Sequence, residues 1–101
     1  MADQKLLVHI EYCGAWGYAP KANALRDTII KELGPGAVEV TMKVGRRSSF
    51  EISANGELVF SKLEAGGFPD QKAVTDVLQR VKNGESVQKV TETVPGGCMI
   101  L

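Results

Sequence analysis

Residues 6–20 read LLVHIEYCGAWGYAP, and the spacing of the apolar side chains changes within them. Over Lys5 to Tyr12, Leu6, Val8, Ile10 and Tyr12 fall on one side and Leu7, His9 and Glu11 on the other, the period-two pattern of a strand. Beyond the loop Cys13-Gly14-Ala15-Trp16-Gly17 the period lengthens. Ala22, Leu25, Ile29, Ile30 and Leu33 recur at three and four, Pro20 stands near the first helical position, and Gly34-Pro35-Gly36 ends the run. The spacing predicts a helix over 19–33. A strand thus feeds a helix through a glycine-containing loop with a cysteine at its head.

Working outward, Val38, Val40, Met42 and Val44 alternate with Glu39, Thr41 and Lys43 in a second strand. Phe50, Ile52 and Ala54 lead through Asn55-Gly56 into a strand with Leu58 and Phe60, a hairpin with a type I′ turn. Val74, Val77, Leu78 and Val81 mark a second helix closed by Asn83-Gly84. The strand–helix–strand unit favours parallel pairing, and the hairpin adds two antiparallel strands. The expected architecture is α+β: β-α-β-β-β-α, a four-stranded mixed sheet with both main helices on one face. The other face is expected to be open, carrying His9, Glu11, Glu39, Thr41, Lys43, Ser49, Glu51 and Ser53, with Val38 to Val44 as an edge strand. Residues 1–90 read as one domain and 91–101 as a tail without periodicity.

The whole chain bounds the function. Its 101 residues, 44% hydrophobic, suffice for one core. Twelve basic residues balance twelve acidic ones, and neither Arg46-Arg47 nor Arg80-Val81-Lys82 makes a basic stripe, which argues against a nucleic-acid partner. The first residues show neither a signal segment nor an apolar run near the ~20 residues that span a bilayer, so the expected location is the cytosol. Ala2 excludes N-terminal myristoylation. Two cysteines in such a chain are expected to be reduced, reactive or modified rather than joined.

A thiol just before a helix gains from the dipole and from unpaired backbone N–H groups, which favour thiolate. Cys13 has that place, and Tyr12 and Tyr18 flank the loop as candidates to shield it. A small buried cysteine without chemistry has the same position, and the residues alone leave both readings open.

Three blocks, VHIEYCGAWGY, SSFEISANGELVFSKLEAGGFPD and the C-terminal CMIL, resemble the selenoprotein W family. The similarity runs from about residue 6 to residue 90; the hairpin and tail are nearest a subgroup with a C-terminal CaaX box. The resemblance implies a thioredoxin-like fold and thiol or selenol redox chemistry through a Cys-x-x-selenocysteine or Cys-x-x-Cys loop. Cys13 matches the first member of that pair. Trp16 occupies the place of the second. Selenocysteine is encoded by UGA, one base from the tryptophan codon UGG, so the expectation is an altered selenoprotein; a natural member that has lost its second redox residue is the alternative. As written, only monothiol chemistry at Cys13 remains. The resemblance also implies glutathione as a co-substrate and client proteins such as 14-3-3, with no bound cofactor. A non-enzymatic signalling adaptor is the competing class.

Three further features qualify this reading. Gly66-Gly67-Phe68-Pro69-Asp70 joins the last strand to the last helix, with Asp70 as an N-cap and Phe68 as either core or a wall of the site. The wider thioredoxin pattern has a cis-proline before the hairpin, yet no proline lies between Gly45 and Phe50. His9, three residues from the loop, points away from Tyr12 by alternation and reads as solvated or hydrogen-bonded rather than catalytic. With one histidine and two distant cysteines, no metal-ligand spacing exists. Glu11, Glu39 and Glu51 on one sheet face are ordinary solvated carboxylates, and no phosphate-cradling glycine pattern is present.

Cys98-Met99-Ile100-Leu101 is a CaaX pattern whose final Leu favours geranylgeranylation of Cys98. Thr91 to Gly97 contain no Lys or Arg. One lipid without a basic partner gives reversible attachment, so a membrane-associated fraction is expected beside the cytosolic one.

Overall fold

The computed structural model describes residues 5–15 and 17–94. Strand β1 (Leu6–Cys13) is followed by helix α1 (Tyr18–Leu33), strand β2 (Val38–Gly45), the hairpin β3 (Phe50–Ala54) and β4 (Glu57–Ser61), a short helix α2 (Lys62–Ala65) and helix α3 (Gln71–Lys82). The sheet order is β2-β1-β3-β4, with β1 parallel to β2 and antiparallel to β3. β2 is the edge, as its place after the crossover requires.

The apolar stripe of β1 meets those of the hairpin and helices on one side. Ile10, Ile52, Phe60, Leu25, Ile29 and Leu78 are among the fully buried side chains of this single core. α1 and α3 both lie over that face, as expected. In the hairpin turn Asn55 (φ 52°) and Gly56 (φ 87°) both take positive φ, the type I′ geometry whose twist matches the flanking strands. Asn55 also fastens the turn to β1: its Oδ1 accepts the Leu7 N–H at 3.0 Å, and its own N–H donates to the Leu7 carbonyl at 2.7 Å.

Four features differ from the sequence reading. β4 carries a bulge: Ile52 pairs with Phe60 while Ser53 pairs with Leu58. The extra residue puts Val59 and Phe60 both into the core and turns Leu58 outward, 38% exposed, where alternation had placed Leu58 inside. α2 was not foreseen; Ser61 caps it by accepting the Glu64 N–H at 3.3 Å, half of an S-x-x-E capping box. The polar sheet face is not uniformly open, because Ser49 and Glu51 are buried. The chain also stays attached past residue 90. Val90 is buried and donates to the Val59 carbonyl, Glu92 accepts from Asp70 N–H, Thr93 bridges Pro69, and Val94 N–H donates to the Phe68 carbonyl. Of the expected tail from 91, Glu92, Thr93 and Val94 are therefore bound to the α3 entry loop, and residues 95–101 lie outside the described chain.

Candidate functional site

Cys13 ends β1, and the chain leaves the sheet there to enter α1. The N-cap of α1 is Gly17 (φ 87°), which offers no side-chain acceptor to the first-turn N–H groups. The positive end of the helix therefore faces the loop uncompensated by a side chain. The Ala15 N–H donates to Cys13 Sγ at 3.4 Å.

The opposite side of the thiol is formed by the β2–β3 connection, Arg46-Arg47-Ser48-Ser49. Cys13 N–H donates to the Ser49 carbonyl at 2.9 Å, locking the connection to the end of β1. Ser48 holds φ 63°, a left-handed conformation uncommon for a residue with a Cβ. The thiol is held below its ordinary range, first by the Ala15 N–H and then by the Ser48 N–H, against burial, with smaller help from the Arg47 and Lys62 charges. Cys13 is itself only 6% exposed, while Gly14, Ala15, Arg47 and Ser48 around it are exposed.

No cis peptide bond occurs among the described residues. Where the wider thioredoxin pattern has a proline, this chain has Arg46 to Ser49, each with the backbone N–H that proline lacks.

An ion cluster fixes this connection from the polar sheet face. Glu11 Oε2 accepts the Arg46 N–H at 2.8 Å and Arg46 Nε at 3.0 Å, and Glu51 Oε1 lies 3.7 Å from Arg46 Nη2. Arg46 holds the Glu11 carboxyl below its usual value, chiefly through the side-chain bond and next through the backbone one. Glu51 also accepts the N–H groups of Phe50 and Leu63, tying β3 to α2. A Cβ at Gly45 would overlap the Glu11 side chain, so glycine is needed where Glu11 crosses to Arg46. The Ser49 hydroxyl, fully buried, has no hydrogen-bond partner among the described residues.

The aromatic wall lies beside the thiol. Tyr18 and Phe68 rings are 5.3 Å apart, and Phe50 meets Phe68 edge-on at 5.3 Å. Lys62 Nζ stands 5.5 Å from the Tyr18 ring and 5.4 Å from Phe68, and donates to the Ser48 carbonyl at 3.3 Å. Asp70 caps α3 by accepting the Ala73 N–H at 3.0 Å.

Of the residues singled out from sequence, Tyr18 and Phe68 are in ring contact, and Lys62, whose charge acts on Cys13, stands over both. Tyr12 instead packs against the core, opposite Phe50 in the sheet register. His9 lies on the polar face, its Nδ1 2.8 Å from Thr41 Oγ1. Trp16 and Cys98 lie outside the described residues. Sequence reasoning missed Ser48, Arg46 and Lys62. The doublet Arg46-Arg47 beside Ser48-Ser49 was the available signal, but a backbone donor in a left-handed turn leaves no mark in residue type. Among the described residues no group of three His, Cys, Asp or Glu side chains is placed to hold a metal.

A family model described as the Rdx family matches residues 7–83. Migration and invasion enhancer 1 of Mus musculus is 44% identical over 96 residues, covering 93% of this chain and 81% of that protein. Selenoprotein W of Danio rerio is 38% identical over 80 residues, covering 71% of this chain and 91% of that protein. The crystal structure of a selenoprotein W-related protein from Vibrio cholerae superposes with a TM-score of 0.72 at 21% identity, over 78% of this chain and 99% of that one, a likeness of fold. By the family match and these identities, the chain belongs to the Rdx family, the family of selenoprotein W.

Proposed function

We propose that this protein is a thiol redox protein of the selenoprotein W type in which Cys13 is the reacting sulfur. The observations that carry this reading are the Ala15 N–H donating to Cys13 Sγ at 3.4 Å and the start of α1 beside it that no side chain caps. They favour the thiolate, the form that attacks a disulfide. With Trp16 in the chain the chemistry stops at a mixed disulfide, since indole neither attacks a disulfide nor leaves from one. A Cys or selenocysteine at residue 16 would supply the resolving partner. Glutathione is the proposed co-substrate, and 14-3-3 proteins are proposed clients by resemblance. Geranylgeranylation of Cys98 is proposed to give a reversible membrane fraction beside a cytoplasmic one. None of the described helices is long and apolar enough to cross a membrane.

The test uses the full chain with Cys98→Ser, so that Cys13 is the remaining thiol. Glutathione disulfide is expected to add one glutathionyl group at Cys13, removable by excess glutathione, with no peroxide turnover. Trp16→Cys is expected to form an intraloop disulfide and to gain turnover. A folded chain that takes no adduct while its unfolded form does would overturn the reading. Trp16 itself favours a second reading, a signalling adaptor without redox activity; equal inertness of the parent and Trp16→Cys chains would select it.

A further inference from the structure

A groove of about 330 Å³ runs beside the thiol site, between the start of α1 and the loop entering α3. Its lining is mainly apolar, with Pro20, Ala24, Leu25, Phe68 and Val94, and its polar members are Lys21 and Gln71. The groove meets the site through Phe68, whose ring touches Tyr18 and lies under Lys62. Its charges have one sign. Lys21 lines it, with Nζ 4.8 Å from the Phe68 ring, and no carboxylate does. At the thiol end stand Lys62 and Arg47, the two charges that act on Cys13.

Arg26, Arg46, Lys72 and Lys89 each meet a carboxylate within 4.0 Å, whereas Lys21, Arg47 and Lys62 meet none among the described residues. Among the described residues Lys5, Lys31, Lys43, Arg80 and Lys82 also meet no carboxylate within 4.0 Å, but Lys21 and Lys62 are the cations that stand over the Phe68 ring of the groove. Lys21 on the groove and Lys62 over its Phe68 ring, with Arg47 nearer the thiol, make a local positive field.

We propose that this groove docks an extended acidic segment of a client protein, with apolar side chains against Phe68 and Pro20 and carboxylates on Lys21, Arg47 and Lys62. The proposal rests on the redox reading of Cys13 and adds the class of client. The docked segment presents its disulfide to Cys13. The thiolate, its proton already lost to solvent, attacks the nearer sulfur; a new bond forms between that sulfur and Sγ. The client's own S–S bond breaks, and its electron pair leaves on the second sulfur as a thiolate.

The experiment again uses the full chain with Cys98→Ser. Peptides carrying one cysteine as a mixed disulfide with thionitrobenzoate are compared, the cysteine flanked by Leu and either two Asp or two Lys. At low ionic strength the acidic peptide is expected to react at least about tenfold faster, the ratio falling toward one near 1 M salt, where the screening length is ~3 Å. Lys21→Gln with Lys62→Gln should collapse the ratio; any change in Cys13 itself cancels, because both peptides meet the same thiolate. Ala24→Gln, which extends a side chain into the groove, should reduce the preference for Leu over Ser beside the cysteine. Equal rates for acidic and basic peptides at every salt concentration would overturn the proposal, and are what a groove filled by the chain's own residues 95–101 would give. A Leu preference unmoved by Ala24→Gln would remove the groove. If neutral hydroxyethyl disulfide also fails to react at Cys13, the redox reading itself falls.

Discussion

Glu11→Gln tests whether the loop that serves the thiol is held by charge. The Glu11 carboxylate takes the Arg46 N–H at 2.8 Å and Nε at 3.0 Å on one oxygen, while Nη2 approaches the other at 3.4 Å. A carboxamide keeps one acceptor oxygen and turns an NH₂ group toward a second donor. The side-chain pair contributes little, because the Arg46 side chain is 64% exposed and solvent screens it. The bond from the Arg46 backbone N–H is solvent-exposed as well, so its change from charged to neutral acceptor costs at most about 1 kcal/mol. The folded Glu11 pKa lies below the ordinary carboxylate value, first through the Arg46 side-chain bond and then its backbone bond. Its stabilisation is therefore fully present above the unfolded pKa and is lost as pH falls through the folded one. Urea denaturation over a pH series should show the full difference between parent and variant at neutral pH and a vanishing one below the carboxylate range. Because the same latch holds Ser48, alkylation of Cys13 across pH should show its thiol moving up in the variant. A stability difference flat with pH, or growing on acidification, would refute the charge argument; an unmoved thiol would show that Ser48 holds its place without Arg46.

Three further outcomes are expected. Gly45→Ala drives a Cβ into Glu11 and should destabilise at least as much as Glu11→Gln, with the double variant little worse than either, because both remove one contact; denaturation of all four chains measures the coupling. Ser48→Gly relaxes the φ of 63° while keeping the N–H, so stability should hold or rise by up to ~1 kcal/mol with the Cys13 alkylation profile unchanged. Cys98→Ser should leave fold and Cys13 reactivity intact and abolish any membrane-bound fraction on cell fractionation.

What could be read from the sequence was what depends on period. β1, α1, β2 and α3 follow from alternation or from three-and-four spacing, and Asn55-Gly56 specifies its turn through the positive φ that these two residues tolerate. The misread features turn on register or on long-range contact. One extra residue in β4 reverses the sides of Leu58 and Val59, and nothing in GELVFSKL distinguishes a bulged strand from a regular one. Val90 is buried because β4 offers its Val59 carbonyl, a partner far away in sequence. Glu51 is buried between Arg46 on one side and the start of α2 on the other, contacts that the local pattern does not record. At the site, Cys13 before a helix could be read directly. The contribution of the Ser48 N–H to the lowered thiol could not, since every residue but proline has such a group.

The same geometry separates two tasks that a two-sulfur loop combines. Ala15, Ser48, Arg47 and Lys62 contribute to the lowered thiol of Cys13. On the proposed redox reading, preparing the attacking sulfur is the work of the helix end and of the β2–β3 connection, the latter anchored in the sheet through the Ser49 carbonyl and Glu11. Resolution would fall to the side chain at position 16. A tryptophan cannot take that second task, so the chain would form a mixed disulfide and hold it until an external thiol arrives. The lifetime of that species then depends on how readily a second thiol reaches a sulfur that is only 6% exposed, between the cations of one loop and the aromatic wall of another.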